Sequence, residues 1–363
     1  MGDNIKIIEC KTYKERKDFL DFPKKIYENE YCPQDYKTEK QLLEGTHPLS
    51  TDFKVMPILA YQTNCDKDYV LARCIITIYE NDNKAYIGLF DAIDNTYIYL
   101  KFLKEVENKC RELGKNKMIG PVDASFWINY RFKYKSDIPF KQTYTGEPYN
   151  KENYVRMWLE AGFNISDTYL SNMYRQVFKE DSCEKHKLRL RQMKDKGYVL
   201  RNSSLKTFDN DIVDIHRLII QLYNKFPAYK NISLIQFKKM FGYLKYVLNY
   251  SMVWLVEKDN CVVAFFICVP NYSEINKIDN KILKLIKMLK IRRKPEEYVM
   301  LYVGADNRSL GVGSALAEVA KTELYNYGCT SIGALTQKTT ATNTYYKNLI
   351  INSTEYVLLE KEI

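Results

Sequence analysis

Two hydrophobic periodicities alternate along the chain. In IKIIEC (5–10) apolar and polar residues change places almost every second position, as in a strand with one covered face. Phe19, Phe22 and Ile26 then recur at helical spacing and predict a helix over 14–27. Residues 55–61 and 69–79 are rich in β-branched and aromatic side chains and flank the turn-forming NCDKD, so they predict two strands. Residues 85–90 predict another. Residues 95–113 predict a helix that stops at Gly114, where glycine supplies the left-handed backbone of a helix end. KMIGPVD (117–123) predicts the strand that follows.

The second half repeats the order. A strand begins at 198–201, and a helix is predicted over 209–225. Residues 251–257 and 261–269 read as a hairpin around Lys258-Asp259-Asn260. Residues 297–303 predict a strand and 313–327 a helix ended by Gly328, and CTSIGAL (329–335) predicts the next strand. In each half a helix ends at glycine (RELG, YNYG) and Ile-Gly opens the next strand (MIGPVD, SIGALT). An aromatic-rich helix (153–161, 344–349) and a β-rich run close each half. The pattern implies duplication of one α/β module. The expected division is a first module over 1–178, a charged linker over 179–197 forming a short solvated helix, and a second module over 198–363.

Composition narrows the class. The 363 residues are 46% apolar and 28% charged, which suits a soluble protein of two ordinary domains. No apolar run has the length of a membrane span. The N-terminal MGDNIKIIECK lacks the apolar core of a secretory signal, and Lys6 stands where myristoylation needs serine or threonine. Nine scattered cysteines without CxxC spacing fit a reducing, cytoplasmic setting. Three histidines without HxH or HxxxH spacing give no zinc site, so no metal is expected. The 31 tyrosines read as half-buried packing residues. Part of the net charge of +10 lies in KILKLIKMLKIRRK (281–294), seven bases and no acid. Ile282, Leu285, Ile286 and Leu289 make it an amphipathic basic helix. A solvated surface face is the expectation for it, with a membrane or polyanion contact as the lesser alternative.

The chemistry concentrates in NRSLGVGSAL (307–316). It lacks the lysine of a Walker A loop and the third glycine of a dinucleotide fingerprint. Arg308-x-x-Gly311-x-Gly313 between a strand and a helix is the reading that remains. Glycines there let successive backbone N–H groups face one concavity, and the helix N-terminus adds roughly half a positive charge. Pyrophosphate suits such a loop, and Arg308 adds a charged contact.

This motif, with VMLYVGA before it and CTSIGAL and TYYKNLI after it, resembles motif A of the GNAT superfamily of acyl-CoA-dependent N-acyltransferases. The stretches DFLDFPKKIYENEY, GLFDAID, GPVDASFW and YTGEPYNKENYVRMWLEAGF resemble the uncharacterised bacterial proteins that carry two GNAT-like modules in tandem. The resemblance implies an α/β (α+β) fold of two tandem modules, each a mixed central sheet flanked by helices. It implies that only the second module keeps the pyrophosphate loop, and therefore one active site per chain.

The resemblance also assigns roles. Acetyl-CoA, or another acyl-CoA, would lie along Leu301, Tyr302 and Val303, with a backbone N–H there meeting the thioester oxygen. Its pyrophosphate would sit on Arg308, Ser309, Leu310, Gly311, Val312, Gly313 and Ser314. Tyr346 holds the place of the tyrosine that protonates the leaving thiolate, with Tyr345 as the alternative if the helix shifts by one. Glu296, Glu297, Asp306 and His216 are all open as general base. The acceptor side is expected between the modules, from Tyr223, Asn224, Trp127 and Glu147, the last suiting a cationic amine.

The implied activity is transfer of an acyl group, acetyl first, to the amine of a small molecule in the cytoplasm. Nucleic acid is not expected as a partner, and a homodimer stays open. Two alternatives stand beside this. One is an aminoacyl-tRNA-dependent transferase of tandem GNAT fold, motivated by the charge. The other is a non-catalytic acyl-CoA or metabolite sensor.

Overall fold

A computed structural model describes residues 5–28, 31–64, 67–278, 280–306, 309 and 311–363. Chain order in the first half is β1 (Ile5–Glu9), α1 (Tyr13–Ile26), α2 (Tyr36–Glu44), β2 (Phe53–Asn64), β3 (Lys67–Tyr79), β4 (Lys84–Ala92), α3 (Thr96–Glu112), β5 (Lys117–Gly120), β6 (Phe132–Ser136), α4 (Tyr154–Glu160) and β7 (Asn164–Tyr174). The helix α5 (Glu184–Asp195) leads to the second half. There follow β8 (Val199–Asn202), α6 (Phe208–Tyr223), α7 (Leu234–Phe241), β9 (Val253–Lys258), β10 (Cys261–Pro270), α8 (Lys281–Arg293), β11 (Glu297–Ala305), α9 (Val312–Tyr327), β12 (Thr330–Gln337) and β13 (Ile350–Glu362).

Local chemistry explains most boundaries. Thr12 and Glu15 form a reciprocal capping box that starts α1, and Ser233 with Gln236 does the same for α7. Gly114 and Gly328 take φ values of 71° and 64° at the ends of α3 and α9, as the sequence leads one to expect. Asp259 and Asn260, at φ 51° and 62°, make the tight turn between β9 and β10.

One sheet of 13 strands runs through the molecule in the order β1-β2-β3-β4-β5-β13-β7-β12-β11-β10-β9-β8, with β6 also paired to β13. The two halves exchange strands at its centre. β13 lies against β5 of the first half through Leu359↔Gly120, and β7 lies against β12 of the second through Ile332↔Met173. Helices cover both faces. A core reaching from Phe19 and Leu42 to Phe208, Ile215 and Phe237 fills one face across both halves. On the other face α3 and α4 close over the first half through Phe102, Val106 and Trp158, and α9 over the second through Ala315, Leu316 and Ala320.

Two expectations change. The linker helix α5 is not solvated on all sides: it packs along α9, burying His186 and Met193. The aromatic segment 344–349 is not one helix but two short 3₁₀ turns, Ala341–Thr344 and Lys347–Leu349, on either side of Tyr345 and Tyr346.

Candidate active site

The site begins where two parallel strands part. β11 and β12 pair from Glu297↔Thr330 to Met300↔Gly333, and the ladder ends there although both strands continue. The cause is visible in the register on the other side. β11 pairs with β10 through Ile267↔Tyr302 and Cys268↔Met300, so Leu301 is an extra residue, a β-bulge. β12 is irregular at the same level: its register against β7 shifts between Gly333 and Thr336, and Leu335 sits at φ 56°. The result is a fork whose β11 prong, 301–306, is half-buried, whereas Tyr298 and Val299 before it are fully buried.

At the open end of the fork, Gly311 precedes α9 with φ +89°, a conformation that favours glycine. No side chain caps α9 at its N-terminus. Ser309 is buried; its N–H donates to Asp306 O at 2.8 Å, and its carbonyl accepts from Val312 N at 3.2 Å, which folds the loop back on itself. Gly313 and Ser314 are half-buried in the first turn, and Val312 is buried in the core. Arg308 and Leu310 lie outside the described residues. The linker contributes what the motif did not reveal: a Cβ on Gly311 would stand 3.2 Å from Arg189 Cδ, so Arg189 of α5 lies beside the loop.

The two tyrosines divide. Tyr346 is a correction: it is a core residue. Its hydroxyl donates to Ala317 O within α9, its ring packs 5.4 Å from Tyr174, and burial holds its phenol protonated far above the ordinary range. Tyr345 faces the start of α9. Its hydroxyl oxygen lies 2.9 Å from where a Cβ of Gly313 would stand, and its ring meets His186 of α5 edge-on at 5.8 Å.

The expected acceptor residues divide as well. Glu147 is a second correction. It is buried, paired with Lys133 at 3.1 Å, and accepts from Tyr356 Oη, so it faces no acceptor. Lys133 of β6 is itself fully buried, so the pair clamps the loop after β6 onto β6, and Tyr356 ties the same carboxylate to β13. Trp127 stitches the halves together: its indole N–H donates to Lys230 O at 2.7 Å, and its ring packs on Tyr229 and Phe237. Asn224 is exposed at the end of α6. Tyr223 remains on the expected side, near Tyr302; burial raises both phenols, to about 12 for Tyr302.

The residue the sequence did not single out is Arg131. It is 8% exposed, with φ 88°. Its guanidinium lies 3.7 Å from the Tyr130 ring centre and 4.1 Å from that of Tyr169, and Nη1 donates to Leu335 O on the β12 prong at 3.2 Å. Nε is buried without a hydrogen-bond partner. No ion pair of the described residues includes Arg131, and its charge is felt at both Tyr223 and Tyr302. Asp167 of β7 is also near this group of tyrosines, but it accepts from Gln337 at 3.1 Å.

Three of the four candidate bases stand away from the fork. Glu296 and Glu297 line a cleft at the other end of β11, where Glu297 accepts from Asn271 at 2.7 Å. His216 bonds Ile232 O at 2.9 Å and packs on Phe237. Among the described residues no cluster of histidine, cysteine and carboxylates forms a metal site.

The first half has a matching fork between β4 and β5, paired only from Lys84↔Lys117 to Tyr86↔Ile119. Its own chain fills it. Val122 N donates to Ile87 O at 2.8 Å, and Leu89 N donates to Asp123 Oδ1 at 2.6 Å. The fit is so close that a Cβ on Gly88 would stand 2.0 Å from Val122 O. A cavity of about 80 Å³ lies nearby, lined by Leu89, Asp123 and Arg131 among others.

The fold is similar to that of solved GNAT proteins in tandem form. The chain overlays a tandem GNAT protein from the clavulanic acid biosynthesis pathway, solved without acetyl-CoA, with TM-score 0.52 over 99% of this chain and 98% of that one, at 9% identity. It overlays a GCN5-related N-acetyltransferase from Sphaerobacter thermophilus with TM-score 0.51 over 99% and 96%, again at 9% identity. At such identity the likeness carries the fold alone. No family model matches the chain, and no curated protein does.

Proposed function

We propose that the protein is an acyl-CoA-dependent N-acyltransferase that uses acetyl-CoA and acylates the amine of a small molecule. The supporting observation is the fork: the bulge at Leu301 opens β11 from β12 directly above the uncapped start of α9. A strand edge at the prong offers backbone groups to a pantetheine-like chain, and first-turn N–H groups of α9 suit a pyrophosphate. Arg189 and, by sequence, Arg308 add positive charge there. Acetyl-CoA supplies the acyl group as a thioester. In this reading the backbone of Leu301–Gly304 orients the thioester and steadies its oxygen. As the amine nitrogen bonds to the acyl carbon and the C–S bond breaks, Tyr345 would give its phenol proton to the departing thiolate and regain one from the acylated nitrogen, directly or through water.

Arg131 shapes the acceptor side. A buried guanidinium with no carboxylate partner among the described residues gains from an anion that joins it, so the reading is an acceptor that carries a carboxylate or similar anion besides its amine. Its charge also sets the reading apart from one built on Glu147, which would have favoured a cationic acceptor.

Isothermal titration of wild-type protein with acetyl-CoA, followed by thiol-release assays on a panel of small amines, tests the proposal. Binding with one site per chain and thiol release with at least one amine are expected. Absence of acetyl-CoA binding would overturn it; binding without release across the panel would favour an acyl-CoA sensor.

A further inference from the structure

The equivalent strand connections of the two halves differ sharply. β3 passes to β4 through residues 80–83, whereas β10 passes to β11 through residues 271–296, which contain α8. The fold does not need this insertion, since the first half closes the same connection with a turn.

α8 sits on the body in an unusual orientation. It buries none of its residues. Its polar side is tied down: Lys287 pairs with Glu274 at 2.8 Å, and Arg292 donates to Tyr246 O at 2.7 Å. Its apolar stripe faces outward, with Ile282 71%, Leu285 52%, Ile286 56% and Leu289 45% exposed. These residues stand at i, i+3, i+4 and i+7, so they form one continuous face. A run of large aliphatic side chains so exposed marks a surface made to be covered.

The charge selects what covers it. Residues 281–294 carry seven bases and no acid. At 100° per residue, Lys281 borders one side of the stripe and Lys290 the other, with Arg293 within it, and all three are exposed. A second copy of the chain would set this whole run against itself, like charge on like charge. An anionic lipid surface matches both halves of the pattern: the aliphatic face enters the boundary between headgroups and acyl chains, and the flanking bases meet the phosphates. Lys287, Lys290 and Lys294 also line a cleft of about 540 Å³ beside the helix, which Lys141 of the first half lines too.

We infer that α8 docks the protein peripherally on membranes containing anionic lipid. The inference goes beyond the proposed acyl transfer and does not depend on it. Among the described residues no helix is long and apolar enough to cross a membrane, so the contact is one of lying on the surface.

Sedimentation of the full chain with vesicles tests it. Wild type is expected to pellet with phosphatidylcholine vesicles that contain phosphatidylglycerol, to stay in solution with phosphatidylcholine alone, and to be released by high salt. The double variant Leu285→Asp/Leu289→Asp and the double variant Lys290→Glu/Arg293→Glu should each weaken binding roughly tenfold or more. All four side chains are exposed, so unchanged thermal unfolding is expected. No pelleting with anionic vesicles would overturn the inference. So would equal pelleting with neutral ones, or a soluble dimer that Leu285→Asp/Leu289→Asp disperses while wild type ignores lipid.

Discussion

The hydroxyl of Tyr345 lies 2.9 Å from the place a side chain on Gly313 would occupy, while the next residue, Tyr346, spends its hydroxyl on Ala317 O in the core. Adjacent tyrosines thus face opposite ways, one to the first turn of α9 and one into the core. Tyr345→Phe is expected to lower kcat about a hundredfold with acetyl-CoA affinity little changed. Tyr346→Phe should leave kcat near wild type and lower the melting temperature, because it leaves the carbonyl of Ala317 without its extra donor. Steady-state kinetics and thermal unfolding of both variants separate the roles.

Gly311 tests the proposed anion site. At φ +89°, alanine adds roughly 1–2 kcal/mol of backbone strain, and its methyl group presses on Arg189. Gly311→Asp adds a negative charge as well. Titration calorimetry should show acetyl-CoA affinity falling in the order wild type, Gly311→Ala, Gly311→Asp, with Arg189→Gln between the first and the last.

Arg131 should decide which acceptors are used. With pairs of amines matched except for a carboxylate, Arg131→Gln is expected to raise KM about tenfold or more for the acidic member, with little change for the neutral one. Loss of both alike, together with a large fall in melting temperature, would mark Arg131 as a staple between the halves.

Asp123 gives a pH signature. Burial lifts its carboxyl from 3.8 to about 6, against the pull of Leu89 N and Asn129. A raised folded value favours the protonated acid, so this group's contribution is most favourable below pH 3.8 and is lost as pH rises through about 6. The loss is roughly 3 kcal/mol. Urea unfolding across this range should show the stability of wild type falling relative to that of Asp123→Asn as pH rises, the difference between the two isolating this one group.

Glu147 should matter for stability rather than for acceptor choice. Glu147→Ala leaves Lys133 buried without its carboxylate and is expected to cost about 3–5 kcal/mol in denaturant unfolding. The acceptor preference of the protein that remains folded should match wild type.

Periodicity alone makes most elements legible. β2, β3, β9, β10, α3 and α9 carry long, consistent patterns, and the glycines at 114 and 328 mark their helix ends. α2 and α7 escape a reading of this kind because nine and eight residues hold too few turns for a clear stripe. The motif locates the loop but not its neighbours. Arg189 reaches it from a helix more than a hundred residues away in sequence, and Arg131 reaches Leu335 across a still longer separation. Such pairings depend on tertiary packing, which spacing along the chain does not encode. For the two tyrosines, the 3₁₀ geometry of 341–349 turns Tyr345 outward and Tyr346 inward, and a one-residue choice of that kind lies below what helical periodicity resolves.

The exchange of β7 and β13 also governs how the chain can come into being. Domains commonly fold in order as they leave the ribosome. Here β5 waits for β13, so the first half cannot complete its sheet until residues 350–362 have been synthesised. The earlier half must be held open, its β5 edge unpaired, throughout translation of the later one, and a truncation that removes β13 injures the half farthest from it in sequence.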